Sequence, residues 1–146
     1  MKKLLGILGL LAAVVIATSL TSDRFLSPEN LENVVRRVGL FGILGIGAAF
    51  VIVTGGIDLS IGSVVCLCGC LLPWLLVEQG VCVMEALVIV LGLSVAIGLF
   101  HGLLVTRLRL QPFVVTLCGL LLYRGIARGI TGDRTVGFGA DLRWLS

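Results

Sequence analysis

One carboxylate and a cluster of small polar residues interrupt the apolar stretches of this chain, in Gly55-Gly56-Ile57-Asp58-Leu59-Ser60-Ile61-Gly62-Ser63. A carboxylate at bilayer depth costs about 2.5–3.5 kcal/mol on insertion scales, so Asp58 is a functional-site candidate if its flanks lie in a membrane. Two kinds of work suit these residues. Gly55 and Gly56 each lower helix propensity by about 1 kcal/mol, which ends one helix; Asp58 or Ser60 then caps the next by accepting hydrogen bonds from first-turn N–H groups. Alternatively, this is an interrupted helix of the kind at which transporters build substrate or gating sites from exposed helix ends. The depth of the break separates the two readings, and spacing leaves both open.

Other polar side chains sit inside apolar runs. His101 stands beside Gly102, where a hydrogen bond to a neighbouring helix competes with a proton-relay or substrate role. Arg124 and Arg128 share a helical face, four residues apart. Arg124 must face the bundle interior, pair with a carboxylate such as Asp58, or snorkel to an interface from a tilted or re-entrant helix. Cys66, Cys68 and Cys70 share one run, but a helix turns the middle one away, so they do not converge on a metal. With Cys82 and Cys118 they imply no disulfide framework, and a free Cys in such a run behaves as a small hydrophobe. No catalytic set and no metal site emerges.

The elements that carry these residues follow from composition. Of 146 residues, 58% are hydrophobic and only 13% charged, against about 25% charged in a soluble domain. Apolar runs at Leu4–Leu20, Val38–Val53, Ile61–Val77, Ala86–Thr106 and Phe113–Ile130 are each close to the roughly 17–25 residues that cross a bilayer. The expected fold is all-α, a polytopic membrane bundle of about five transmembrane or re-entrant helices in a single membrane domain, 1–146. Lys2-Lys3 before the first run also resembles the start of a signal peptide, but four later spans favour a retained helix.

Lys2, Lys3, Arg107 and Arg109 fall on one side if the first four runs all cross, which makes that side and the N-terminus cytoplasmic; Arg24, Arg36 and Arg37 oppose this. Between the first two runs, Ser27-Pro28 is a helix-start signal, giving either a short amphipathic interfacial helix or the lead-in to the second span. Gly39, Gly42, Gly45 and Gly47, with the pairs Gly98/Gly102 and Gly125/Gly129, predict helices packed closely by small residues, the second run among them buried. Glu78 and Glu85 bracket a short external hairpin, and residues 132–146 form a polar external loop or tail in which Asp133 and Arg134 are weak docking candidates.

Gly55–Ser63 resembles the signature of permease subunits of ribose-type sugar ABC importers. Phe25-Leu-Ser-Pro-Glu-Asn-Leu-Glu-Asn-Val34 resembles that family's F-S-x-x-N-L-x-N segment, and Gly98 to Ala127, containing GLLVTRLRLQPFVVTLCGLLLYRGIA, resembles its NGLLV…K-L-PPFI-TL…RG region. The resemblance runs in order through nearly all of residues 25–140. His101 replaces the family's usual Asn, and Gln111 the first Pro of its Pro-Pro pair.

The resemblance implies a non-enzymatic subunit in the bacterial inner membrane, forming the path for a ribose-like monosaccharide. Its implied partners are an ABC ATPase subunit, a periplasmic sugar-binding protein, a second permease subunit and membrane lipid. No Walker-type loop occurs, so ATP would be bound by the ATPase partner, and nothing marks a nucleic-acid footprint. Such permeases are about twice as long, so this chain resembles their N-terminal part. The competing expectations are a non-transporting membrane fragment that packs with another permease and an ion-coupled secondary transporter. The residues assigned to the path or helix break are Gly55, Gly56, Asp58, Ser60, Gly62 and Ser63, with His101 and Arg124 as further intramembrane candidates.

Overall fold

The computed structural model describes residues 2–139, and all regular structure among them is helical. In chain order the elements are α1 (Lys2–Thr21), α2 (Pro28–Val53), α3 (Ile61–Pro73), α4 (Val83–Thr106) and α5 (Pro112–Thr131), with a π-helical extension of α3 at Trp74–Glu78. Five helical stretches of 18 to 26 residues are long and apolar enough to cross a bilayer, α3 counting with its extension. The chain divides into two compact units, Met1–Ile46 and Gly47–Ser146.

In the first unit, α1 exposes leucines on all sides, as Leu4 and Leu10 show, which in water would be untenable and in lipid is the ordinary solvated state. Thr18 and Thr21 satisfy their hydroxyls on the Val14 and Ala17 carbonyls one turn back, so neither leaves a bare polar group on the helix. Ser27 caps α2: its Oγ accepts from the Asn30 N–H at 3.3 Å, and its carbonyl accepts from the Leu31 N–H. Asn30 also donates to the Phe25 carbonyl at 2.7 Å, which fixes the turn before the cap. Because Pro28 opens α2 directly, the separate interfacial helix expected there does not form; the lead-in and the second span are one helix of 26 residues.

The second unit is built on α3, α4 and α5. Leu67, Ile97, Tyr123 and Ala127 form one buried cluster, and Leu71, Leu75, Leu76, Ala86 and Val90 form another. Along α3 from Ile61 onward, its partners on α5 rise in number while those on α4 fall, so α3 runs alongside α5 in parallel and antiparallel to α4. The starts of α3 and α5 therefore lie at one end, together with the end of α4. Pro73 is fully buried, lacks the N–H that an α-helix needs, and precedes the switch to π winding, where the Gln79 N–H bonds the Trp74 carbonyl five residues back. The third span is thus two helical forms in series rather than one uniform helix. Gly80, at φ +65°, makes the turn into α4.

The tail is less freely solvated than its composition suggests. Phe138 is half-buried against the Leu71–Val90 cluster, which folds residues 132–138 back onto the α3–α4 turn. Asp141 and the remainder of the tail lie outside the described residues. At the end of α5, Gly132 takes the left-handed conformation, its N–H and that of Asp133 both bonding the Arg128 carbonyl. Arg128 Nε donates to Asp133 Oδ1 at 2.6 Å. This hydrogen bond, with the adjacent positive charge, holds the Asp133 carboxyl below the ordinary aspartate range. The native value lies below the unfolded one, so the pair's contribution is present above the unfolded value and is lost as pH falls through the native one. Carboxyl NMR should show Asp133 titrating below a free aspartate, and Arg128→Gln should return it to the ordinary range.

Candidate functional site

The Gly55–Ser63 break is assembled in steps. As α2 ends, the Gly55 N–H bonds the Ile52 carbonyl at 2.9 Å and the Gly56 N–H bonds the Val51 carbonyl at 3.0 Å, the paired closure that terminates a helix through a left-handed residue. That residue is Gly55, at φ +78°. Gly56 has a different job: a Cβ there would lie 3.1 Å from Val51 Cγ1, so its small size lets the chain turn back tightly over the end of α2, while Pro112 Cβ on α5 would be met at an ordinary 3.6 Å.

Asp58 then organises the approach to α3. Its Oδ1 accepts both the Ser60 N–H and the Ser60 Oγ–H, each at 2.7 Å. This differs from the capping expected of Asp58 or Ser60, in which a side-chain oxygen meets the first-turn N–H groups of α3. Ser60 makes no side-chain cap because its hydroxyl is turned toward the carboxylate; its backbone carbonyl instead accepts the Ser63 N–H, the Val64 N–H and the Ser63 Oγ–H. Asp58 is half-buried, and Ser60 and Ser63 are buried. Gly62 is exposed and a Cβ there would meet nothing within 4 Å, so no close packing in this chain requires it.

Residues outside the motif hold it in place. Thr116, buried on α5, has its Oγ1 2.9 Å from the Pro112 carbonyl and 3.1 Å from the Ile57 carbonyl. The break is therefore level with the first two turns of α5, within about 6 Å of that helix's start, rather than halfway along it. Thr116 escaped the sequence reading because a threonine in an apolar run satisfies its own helix just as well as a neighbour. Replacing Asp58 separates the roles of its atoms. Asp58→Asn keeps an acceptor for Ser60 and should leave the thermal stability of the detergent-solubilised chain nearly unchanged. Asp58→Ala removes it and should cost about 1 kcal/mol, seen as a lower melting midpoint by circular dichroism.

The second polar centre joins α4 to α5. His101 Nε2 lies 2.8 Å from Tyr123 Oη, their rings tilted 35° with centroids 5.5 Å apart. The room for this comes from Gly119, where an added Cβ would stand 2.7 Å from His101 Cε1 and 2.8 Å from Nε2. His101 thus bonds to a neighbouring helix at the one α5 glycine whose missing side chain is used inside this chain. The glycines singled out by spacing behave otherwise: Gly39, Gly42, Gly45, Gly47, Gly98, Gly102, Gly125 and Gly129 each open onto empty space. Within this chain α2 has no buried residue. A stripe of glycine records that a surface is smooth, and only a facing element makes it an interface.

Arg124 and Asp58 are not paired. Two ion pairs occur among the described residues, Arg36–Glu32 and Arg128–Asp133. Arg124 is exposed, and it lines an open groove of about 380 Å³ together with Cys66, Cys70, Arg128 and Arg134. The α5 helix continues unbroken past both arginines to Thr131, a single helix of 20 residues. Cys68 faces the other way, with its sulfur 3.2 Å from Ser94 Oγ on α4.

Five apolar helices, a broken α2–α3 junction seated on α5 and polar pairs between helices give the architecture of a polytopic membrane protein. Residues 30–141 match the family model described as branched-chain amino acid transport system / permease component, and the chain belongs to that family. It is 35% identical to the ribose import permease protein of Bacillus subtilis (strain 168) over 142 residues, covering 97% of this chain and 44% of that protein. It is 35% identical to the xylose transport system permease protein of Escherichia coli (strain K12) over 130 residues, 89% of this chain and 33% of the relative. Against the galactofuranose transporter permease protein of the same strain the identity is 38% over 114 residues, 77% of this chain and 33% of the relative. The chain spans less than half the length of these relatives, all of them transport permeases. No solved structure matches it significantly.

Proposed function

We propose that this chain supplies the N-terminal part of the transmembrane permease subunit of an ATP-driven ABC importer, building the path for a ribose-like monosaccharide delivered by a periplasmic binding protein. The observation that carries this reading is the family match over residues 30–141, which contains the whole α2–α3 break, the His101–Tyr123 pair and α5. The relatives named for ribose, xylose and galactofuranose support a sugar as substrate. The sequence contains no Gly-rich loop followed by Lys and Ser or Thr, consistent with an ATPase partner as the place where nucleotide binds and with a chain that is not itself an enzyme. A second permease subunit completes the path, the whole sits in the inner membrane with the N-terminus cytoplasmic, and residues 132–146 lie on the outer side.

In this reading the Gly55–Ser63 turn lies near the cytoplasmic end of the path, because it is level with the α5 start that follows Arg107 and Arg109. Asp58 presents its second carboxylate oxygen there, the first being held by Ser60. The test is uptake of radiolabelled ribose, xylose and galactofuranose by cells that express this chain with an ATPase, a sugar-binding protein and a full-length permease of the family. ATP-dependent uptake that requires this chain and drops with Asp58→Asn at normal membrane abundance supports the reading. Uptake driven by an ion gradient without the ATPase overturns it in favour of a secondary transporter, and normal abundance without uptake overturns it in favour of a packing fragment.

A further inference from the structure

The groove at the far end of α5 plays no part in that path. It gathers three guanidinium groups, Arg124, Arg128 and Arg134, with one carboxylate, Asp133, the Thr131 hydroxyl and two thiols, Cys66 and Cys70. Asp133 is already committed to Arg128 through contacts at 2.6 and 3.4 Å. Arg124 and Arg134 have no acidic partner among the described residues. The groove therefore keeps an excess of positive charge.

We propose that this groove holds the phosphate headgroup of an anionic phospholipid, with Arg124 and Arg134 as its principal donors. Depth is the first argument. Arg124 lies seven residues before the end of α5, so its Cα is about 10 Å inside that end, where a guanidinium facing hydrocarbon alone is strongly disfavoured. Its long side chain reaches outward, and a phosphodiester at the headgroup level meets it with the bidentate geometry that arginine favours. Arg134, three residues past the helix, approaches the same groove from the aqueous side.

The neighbouring surface supplies the second argument, and it favours a lipid over a free anion. Leu117 and Leu121, seven and three residues before Arg124 and on the same face of α5, are both exposed. An acyl chain hanging from a headgroup in the groove has apolar surface to lie on, for which inorganic phosphate has no use. A neutral sugar would leave both guanidinium groups unmatched.

The full 146-residue chain, purified in detergent, is to be titrated in native mass spectrometry with phosphatidylglycerol and phosphatidylcholine of identical acyl chains. Phosphatidylglycerol should be retained at about tenfold lower concentration, the size expected of one or two charge-assisted hydrogen bonds. Arg134→Gln, which lies outside the helix and does not disturb its folding, should remove most of that preference. Arg124→Gln should do the same and Arg124→Lys should restore part of it, while Arg36→Gln on α2 should leave it unchanged. Equal retention of the two lipids, or an unaltered preference in Arg134→Gln, overturns the proposal. Release of phosphatidylglycerol by millimolar inorganic phosphate also overturns it, by showing a site for the free anion.

Discussion

Gly119→Val should be the most damaging single substitution in the second unit. Even alanine places a Cβ 2.7 Å from His101 Cε1 and 3.0 Å from Tyr123 Cε2, closer than side chains tolerate, so the imidazole must leave its place. It cannot do so freely, because its Nε2 is hydrogen-bonded to Tyr123 Oη, and Tyr123 is buried in the cluster with Leu67, Ile97 and Ala127. Overpacking of this kind costs about 1–3 kcal/mol, and valine adds two further methyl groups to the collision. The measurement is thermal or denaturant unfolding of the solubilised chain, with membrane abundance alongside. A double-mutant cycle separates collision from a general intolerance of α5. In His101→Ala, Gly119→Ala should cost much less, because the two nearest atoms it strikes are gone and only the 3.0 Å approach to Tyr123 Cε2 remains. A full loss in both backgrounds would show that the His101 contact is not the cause.

Gly55→Val is the second large effect, and its mechanism is in the backbone. At φ +78° a side chain crowds the carbonyl, which costs about 1–2 kcal/mol for an ordinary residue and more for a β-branched one. The consequence spreads beyond the residue, because the Gly55 and Gly56 N–H groups close the end of α2 on Ile52 and Val51 and aim the chain at Pro112 and Thr116. Asparagine tolerates the left-handed region far better. Gly55→Asn should therefore retain most of the melting midpoint that Gly55→Val loses. Equal losses in the two variants would assign the effect to contacts of the new side chain, although a Cβ at Gly55 meets nothing within 4 Å.

The two variants show which parts of this protein were legible beforehand. Gly55 was marked as a helix terminator because two consecutive glycines in an apolar run weaken a helix wherever they stand, and that argument is local. Gly119 carried no such mark: it sits in a run with Gly125 and Gly129, and only the position of His101 on another helix distinguishes it. The same holds for Thr116, whose hydroxyl has a local partner in the Pro112 carbonyl and a distant one at Ile57. Arg124 and Asp58 illustrate the converse. Chemistry alone made them a natural pair, yet Asp58 is tied to Ser60 at the start of α3 while Arg124 projects into a groove near the other end of α5.

Composition and run length by themselves determined that the chain is helical, that it has five runs long enough to span and where they break, since each depends on free energies that add residue by residue; the resemblance to a permease family rested instead on the motifs at Gly55–Ser63, Phe25–Val34 and Gly98–Ala127. Lipid penalises every exposed polar backbone group, so a run of about 20 apolar residues has no alternative to a helix. Tertiary structure alone decided that α3 lies parallel to α5, that the break sits level with the first turns of α5, and that Gly119 rather than the regularly spaced glycines is the close contact. The physical reason is that lipid and protein interiors are equally apolar. Hydropathy then no longer says which helix face meets a neighbour, and the choice passes to side-chain shape and to a few hydrogen bonds such as His101–Tyr123, whose partners stand 22 residues apart in the chain.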